Sequence, residues 1–96
     1  MARGEMLTVF AYDISKDKKR RKAAKILEAA ASRVQFSVFE CRMTRQRAAA
    51  VAQRVSALLD AGDSLRVYAV GADGLARSRV YGDGVPMEED AGFWVV

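Results

Sequence analysis

Residues 33 to 43 read Arg33-Val34-Gln35-Phe36-Ser37-Val38-Phe39-Glu40-Cys41-Arg42-Met43. This stretch is rich in β-branched and aromatic residues, which favours strands over a helix, and it is too long for one ordinary strand. We therefore predict two short strands that meet near residues 35 to 37. Helix-like patterns precede and follow the pair, so the order of elements in this part of the chain is helix, strand, strand, helix.

The chain before this pair predicts one strand and one helix. A nearly unbroken apolar run, Met6-Leu7-Thr8-Val9-Phe10-Ala11-Tyr12, indicates a central strand that Asp13 ends. Residues 16 to 31 then place apolar side chains at the three-and-four spacing of an amphipathic helix. Either Ser15 or Asp17 is expected to cap the first turn with a side-chain oxygen.

The chain after the pair predicts a second helix and further strands. Thr44 is expected to be the N-cap of this helix, and Gly62 is expected to be its C-terminal stop. Residues 64 to 70 resume strand character, residues 71 to 74 indicate a turn, and residues 77 to 81 favour another short strand. The apolar stripe of the helix consists of Ala48, Val51, Ala52, Val55, Leu58 and Leu59.

The element order βαββαβ predicts an α+β fold of the ferredoxin-like type, with additional C-terminal strand and both helices on one face of the sheet. The other face is left bare, so we expect a homodimer that forms through it. The length of 96 residues fits a single domain, residues 1–96. Residues 1–5 form an N-terminal extension, and the tail of residues 83–96 is expected to contact the dimer partner or another protein.

The composition excludes several kinds of chemistry. The chain has no histidine, so it can form neither a Ser/His nor a Cys/His dyad of its own. Its one cysteine, Cys41, is expected to be structural. A site made of oxygen ligands suits Mg²⁺ or Mn²⁺ better than zinc. Because the sequence has neither a membrane-length apolar run nor a signal-peptide pattern, we expect a cytoplasmic protein without a membrane partner.

The net charge of +4 is unevenly distributed. Residues 16–54 carry a balance of +9, whereas residues 55–96 carry −4. The basic half predicts contact with phosphate backbones, although surface Lys and Arg also serve solubility. Its densest part is Lys16-Asp17-Lys18-Lys19-Arg20-Arg21-Lys22, at a helix start where the macrodipole disfavours cations. Phosphate contacts and an ordinary solvated face both remain open as explanations of this run.

Asp13 is the candidate catalytic and metal-binding residue, because it directly follows a buried strand and so has a rigid support. A capping or turn role explains the same aspartate. One carboxylate makes a poor metal site, but two copies of Asp13 across a twofold axis could share one cation.

Three aromatic residues also have two interpretations. Phe36 and Phe39 could stack on bases, although aromatic residues at alternating strand positions usually fill a core. Tyr12 could orient a phosphate or simply pack. The residues alone leave these alternatives open.

Two blocks of the sequence resemble the Cas-two family of CRISPR-associated proteins. The first is Tyr12-Asp13-Ile14-Ser15 before a basic helix, and the second is Arg33-Val34-Gln35-Phe36-Ser37-Val38-Phe39-Glu40. A second helix and the strand Leu65-Arg66-Val67-Tyr68 follow, so the similarity covers about residues 6 to 82. The N-terminal extension and the C-terminal tail lie outside the shared blocks.

The resemblance implies a metal-dependent endonuclease with RNA or double-stranded DNA as substrate. It also implies the central dimer of the integrase complex that inserts CRISPR spacers. In this family the aspartate that ends the first strand is the metal site, which corresponds to Asp13. The positions that would bind nucleic acid are Tyr12, Arg20, Arg33, Ser37 and Phe39, together with Lys22, where the family often has arginine.

Two functions from different classes follow from the resemblance. The first is an Mg²⁺-dependent or Mn²⁺-dependent endonuclease built around paired Asp13 carboxylates. The second is a non-catalytic dimeric scaffold that bridges the Cas-one integrase and prespacer DNA. A more distant alternative is a toxin-type ribonuclease that cleaves messenger RNA. The basic half of the chain serves all of them.

Overall fold

Five strands and three helices make up residues 4–87, which are the residues that the computed structural model describes. The strands are β1 (Met6–Asp13), β2 (Ser32–Gln35), β3 (Val38–Met43), β4 (Ser64–Val70) and β5 (Arg79–Gly82). The helices are α1 (Asp17–Ala30), α2 (Arg45–Ser56) and the four-residue α3 (Gly74–Arg77). The predicted α+β order is therefore confirmed, with β5 as the additional C-terminal strand.

The five strands form one antiparallel sheet in the order β2-β3-β1-β4-β5. The first strand is central, as its unbroken apolar run predicted. Phe10 of β1 lies opposite Phe39 of β3 on one side and opposite Val67 of β4 on the other. This register places the three side chains on the same face of the sheet, since side chains alternate with a period of two.

Both long helices cover that face and close the hydrophobic core. Leu27 of α1 and Val55 of α2 are fully buried and belong to the same cluster as Phe10, Phe39 and Leu65. The amphipathic spacing in each helix explains the packing, because one apolar stripe turns toward the sheet. The predicted N-cap of α2 is confirmed, since the Thr44 side chain accepts a hydrogen bond from the Arg47 backbone N–H at 3.1 Å.

Two sequence predictions about helix boundaries are wrong. The N-cap of α1 is Lys16, which makes no side-chain capping bond, so neither Ser15 nor Asp17 caps the helix. The second helix ends at Ser56 and not near Gly62, because the chain tightens there into successive turns that lead to the buried side chain of Asp63. The predicted turn after β4 is confirmed at residues 71–73, where the Gly74 N–H donates to the Gly71 carbonyl at 3.0 Å, and α3 begins directly after it. Gly74 lies so close to the Ala69 carbonyl that a β-carbon would clash with it.

Neither α1 nor α2 covers the opposite face of the sheet, and among the helices of residues 4–87 only α3 borders it, through Gly74 and Leu75. Its central positions are the half-buried Leu7, Val9 and Ala11 of β1. At one edge, Arg66 of β4 donates a hydrogen bond to the Val85 carbonyl at 2.5 Å and contacts the Met87 sulfur at 3.9 Å. The chain after β5 therefore returns across part of this open face. Residues 1–3 and 88–96, which hold most of the predicted extension and tail, lie outside the described residues.

No helix among residues 4–87 is long and apolar enough to cross a bilayer.

Candidate nucleic-acid interface

Asp13 occupies the C-terminal end of the central strand. It pairs in register with Ser64 of β4, and its carboxylate is exposed. Because side chains alternate along β1, Asp13 lies on the same face of the sheet as Val9 and Ala11, which is the open face. A three-residue loop, residues 14–16, then leads into α1.

This loop is anchored from two directions. Ser15 donates both its backbone N–H and its hydroxyl to Asp63 Oδ1, at 3.1 and 3.2 Å. From the helix side, Arg20 Nη1 donates to the carbonyl oxygens of Ile14 and Ser15, each at 3.0 Å, while the other end of the guanidinium pairs with Asp17. Asp13 is thus followed by a segment whose backbone is held in place.

An open depression of about 510 Å³ lies beside Asp13, between the start of α1 and the turn that joins β2 to β3. Five of the seven predicted site residues line it, and they come from four separate parts of the chain. Three cationic side chains face one unpaired carboxylate here, so the depression favours an anionic ligand. Its lining consists of Tyr12, Asp13, Ile14, Arg20, Arg21, Ala24, Arg33, Phe36 and Ser37.

Tyr12 forms the floor of the depression and is 8% exposed. Its hydroxyl donates to the Phe36 carbonyl at 3.4 Å, and its backbone N–H donates to the Ser37 carbonyl at 3.1 Å. Burial raises the pKa of the Tyr12 hydroxyl above its ordinary value, although the nearby charges of Arg33 and Arg20 act in the opposite direction. The phenol is therefore neutral at physiological pH and available as a hydrogen-bonding group.

Phe39 is fully buried and does not line the depression, which favours its interpretation as a core residue over direct contact with nucleic acid. Its ring stacks against Tyr12, with ring centroids 6.4 Å apart, and the guanidinium carbon of Arg33 lies 5.1 Å from its centroid. The core interpretation of Phe39 therefore holds. Phe39 contributes to the site indirectly, because its ring packs against Tyr12 and makes a cation–π contact with Arg33.

Lys22 is exposed on α1 but does not line the depression. Some cations of the surrounding basic run, residues 16–22, are already engaged in ion pairs. Lys16 and Lys19 both pair with Asp60, at 3.3 and 2.7 Å, and the hydrogen bond from Lys19 is the main cause that lowers the pKa of Asp60. Within residues 4–87, Lys18, Arg21 and Lys22 have no ion-pair partner, so they are the cations available to a phosphate backbone. We retain Lys22 as a proposed contact outside the depression.

Sequence reasoning missed two residues of this region, Arg21 and Asp63. Arg21 was noted only as part of the basic run, and helical spacing shared with Ala24 could have placed it on the same side as the depression. Phe36, by contrast, was considered as a base-stacking residue, and it is 88% exposed at the rim of the depression. Asp63 is 2% exposed, and nothing in its local sequence indicates a partner 48 residues away.

One chain supplies a single carboxylate to the depression. Within residues 4–87, no group of three His, Cys, Asp or Glu side chains is positioned to hold a metal ion. Asp17 and Glu28, the nearest other acids of this region, pair with Arg20 and with Arg33 (3.7 Å). Asp13 therefore fits a divalent cation only as one ligand of a larger set, with oxygens from another copy, from water or from phosphate.

A family model described as CRISPR associated protein Cas2 matches residues 6–77, which include every residue that lines the depression. The chain belongs to this family. The match spans β1 through α3, so the Cas2 family pattern covers the same strands and helices that position Asp13.

Individual Cas2 relatives extend the similarity along most of the chain. A protein of Chloroflexus aurantiacus named CRISPR-associated endoribonuclease Cas2 is 34% identical over 93 residues, which cover 95% of this chain and all of the relative. A hypothetical protein from Thermus thermophilus of known crystal structure is 41% identical, with a TM-score of 0.66, and the match covers 72% of this chain and 85% of that one. The crystal structure of Streptococcus pyogenes Cas2 at pH 6.5 is 32% identical, with a TM-score of 0.61, and the match covers 69% and 87% of the two chains.

Proposed function

We propose that this chain is a metal-dependent endonuclease of CRISPR spacer acquisition that cleaves phosphodiester bonds in RNA or double-stranded DNA. The observation that supports it most is the position of Asp13, at the end of the central strand and on the lip of a depression with three arginines. Relatives that carry the name endoribonuclease Cas2 support the same activity. The free thiol of Cys41 is consistent with a cytoplasmic location.

The arginines of the depression act on the phosphate. Arg33 and Arg21 place guanidinium groups beside Asp13, where they would hold a phosphodiester and offset the negative charge that develops during cleavage. Arg20 contributes charge, but its fixed bonds to Ile14 and Ser15 make it chiefly a positioning residue for the loop. Tyr12 and Ser37 offer hydroxyl groups at the floor and rim.

Asp13 is the proposed ligand of Mg²⁺ or Mn²⁺. Such an ion supplies Lewis-acid polarisation of the phosphate and a bound water of lowered pKa, which a chain without histidine cannot supply by imidazole. Because one chain offers one carboxylate here, we propose that two Asp13 side chains of a homodimer share the ion.

The homodimer is proposed to form through the open face of the sheet. This face carries an apolar groove of about 630 Å³, lined in part by Val9, Tyr68, Val70, Leu75 and Met87. Covering such a surface with a second copy would remove apolar area from water, which stabilises association.

An isosteric substitution tests the nuclease proposal. Asp13→Asn removes the charge but keeps the shape, so it should abolish Mg²⁺-dependent cleavage of both RNA and duplex DNA while the thermal unfolding midpoint stays close to wild type. Asp73→Asn is the matched control, because Asp73 is exposed and its side chain makes no capping bond to α3. Equal cleavage by wild type and Asp13→Asn would refute the proposal.

The alternative is a dimeric scaffold that holds prespacer DNA and bridges the Cas-one integrase without cleaving anything. The incomplete ligand set around Asp13 favours it, together with the unpaired cations Lys18, Arg21 and Lys22 on α1. A spacer-integration assay separates the two functions. The scaffold predicts full integration by Asp13→Asn and loss of integration by Arg21→Gln with Lys22→Gln, whereas the nuclease proposal requires loss of cleavage by Asp13→Asn.

A further inference from the structure

A second cluster of positive charge lies at the other end of the molecule. A cavity of about 170 Å³ sits on the helix-covered side of the sheet, between α2 and the strands β4 and β5. Three arginines line it, namely Arg45 at the start of α2, Arg77 at the end of α3 and Arg79 at the start of β5. Thr8 and Tyr81 also line it, and the Thr8 hydroxyl donates to the Met6 carbonyl at 3.1 Å.

None of these arginines pairs with a carboxylate among residues 4–87. Arg77 donates to the carbonyl oxygens of Gly4 at 3.1 Å and Met43 at 3.5 Å. Arg79 donates to those of Ala76 and Ser78, both at 2.8 Å. Neutral carbonyl groups orient the two guanidinium groups but leave their positive charges uncompensated.

One polar atom in this cluster is also without a hydrogen bond. The Nε–H group of Arg77 is buried and has no acceptor among the described residues. A buried donor that lacks an acceptor is costly, and most such groups in folded proteins are satisfied by protein, water or a ligand. One of the three arginines that line the cavity therefore still has a donor that an acceptor could satisfy.

Three guanidinium groups around one cavity repel each other unless an anion lies between them. The planar N–H fork of arginine matches the oxygens of phosphate, with two parallel hydrogen bonds for each pair. We propose that the cavity of Arg45, Arg77 and Arg79 binds a phosphate group, either of a nucleic-acid backbone or of a free phosphate ion.

This three-arginine cavity is separate from the depression beside Asp13. Thr8 lies five residues before Asp13 on β1, a separation of about 17 Å at the usual rise of a strand. At roughly 3.4 Å per nucleotide step, one backbone that reached both places would span about five nucleotides. The inference does not depend on the nuclease activity, because phosphate binding in this cavity needs no metal and no Asp13.

Thermal unfolding with and without inorganic phosphate tests the proposal on the full chain. Replacement of chloride by phosphate at matched ionic strength should raise the unfolding midpoint of the wild type, since a ligand that binds only the folded state stabilises it. The double variant Arg45→Gln with Arg79→Gln should lose most of this gain. The matched control is Arg47→Gln with Arg54→Gln, two exposed arginines of α2 that do not line the cavity, and it should keep the gain.

The single variant Arg45→Gln covers the case in which the double variant does not fold. Arg45 is exposed and its side chain has no ion-pair partner among residues 4–87, so its loss should leave the fold intact. It should weaken the phosphate affinity roughly tenfold, as expected for one lost charge-assisted interaction. A gain in Arg45→Gln as large as in the wild type, or the absence of any phosphate-specific gain in the wild type, would overturn the proposal.

Nucleic-acid binding as a function of salt then identifies the source of the phosphate. If the cavity binds one backbone phosphate, the slope of log affinity against log salt should fall by about 1 in the double variant and stay unchanged in the control. An unchanged slope together with a lost phosphate gain assigns the cavity to free phosphate. Asp13→Asn should retain the phosphate gain in either case.

Discussion

Asp63 accepts two hydrogen bonds from Ser15, one from its backbone N–H at 3.1 Å and one from its hydroxyl at 3.2 Å. The other carboxylate oxygen of Asp63 accepts the backbone N–H of Asp60 at 2.9 Å. One buried side chain therefore joins the loop that follows Asp13 to the loop that precedes β4. The proposed metal ligand is positioned by a residue that never reaches the depression itself.

Removal of the Asp63 carboxylate should destabilise the fold more than removal of the Ser15 hydroxyl. Asp63→Ala leaves three donors without their acceptor, whereas Ser15→Ala removes one donor and keeps the backbone N–H bond. We expect Asp63→Ala to lower the thermal unfolding midpoint clearly and to reduce nuclease activity, with a smaller loss of stability in Ser15→Ala. Equal midpoints for the two variants would show that the carboxylate does not join the loops.

Stability should fall in acid because of the same carboxylate. The N–H bonds from Asp60 and Ser15 hold the pKa of Asp63 below its ordinary value, and the bond from Lys19 does the same for Asp60. A lowered folded pKa means that the unfolded chain binds more protons near pH 4, so the free energy of unfolding decreases as the pH falls from about 5 to 3. Urea unfolding across this range checks it, and Asp63→Asn should show a shallower dependence on pH than the wild type.

The basic run should separate into a stabilising part and a binding part. Lys16→Gln with Lys19→Gln breaks both ion pairs to Asp60, so we expect a loss of stability with little change in nucleic-acid affinity. Arg21→Gln with Lys22→Gln removes cations that are unpaired within the described residues, so the salt slope of binding should fall by about 2 while stability is kept. Fluorescence anisotropy with labelled duplex at several salt concentrations measures the slope, and the reverse ranking of the two double variants would contradict the division.

The two phenylalanines of the second sequence block should behave differently. Phe39 is fully buried beneath Tyr12, so Phe39→Ala should cost about 3–5 kcal/mol of unfolding free energy. Phe36 is exposed at the rim, and Phe36→Ala should change that free energy by less than about 0.5 kcal/mol. Chemical denaturation gives both values. A large loss of stability in Phe36→Ala would mean that its ring is covered in the assembled protein.

The proposed dimer should be sensitive to charge on the open face. Val9 is central on this face and lines its apolar groove, so Val9→Lys should shift the protein toward monomer in light scattering coupled to gel filtration. Ala50→Lys places the same charge on the exposed side of α2 and serves as the control. A dimer that persists in Val9→Lys would place the interface elsewhere.

The strands were predictable because their patterns are local. The apolar run of β1 and the long β-rich stretch of residues 33 to 43 contain the information that fixes each element, and the central position of β1 follows from its lack of polar alternation. Phe36 and Ser37 form the turn between β2 and β3. The alternation of side chains along the strands was therefore not enough to show which face of the sheet the rings of Phe36 and Phe39 occupy. The face of Phe39 was settled only by its register with Phe10.

The failures concern contacts between distant parts of the chain. Ser15 has the residue type of a helix cap, yet its hydroxyl is used by Asp63, which sequence patterns cannot anticipate. The end of α2 was misplaced for the same reason, since the helix stops at Ser56 and the carboxylate of Asp63 accepts the Asp60 N–H in the turns that follow, while Gly62 supplies a positive φ of 86° to a later turn. Arg77 and Arg79 were counted only as charge, because the cavity that they share with Arg45 exists only after β5 has paired with β4.

Asp60 determines how much of the cationic run is available to other molecules. Its single carboxylate forms ion pairs with both Lys16 and Lys19. These lysines lie at a helix start, where the macrodipole already disfavours positive charge. Loss of this one acid would release two cations toward solvent and would remove a tether between α1 and the loop before β4. A relative that lost Asp60 in one mutational step would bind polyanions more tightly but less selectively. The same step would lower the stability of the fold, so Asp60 sets a balance between stability and polyanion binding on which selection can act.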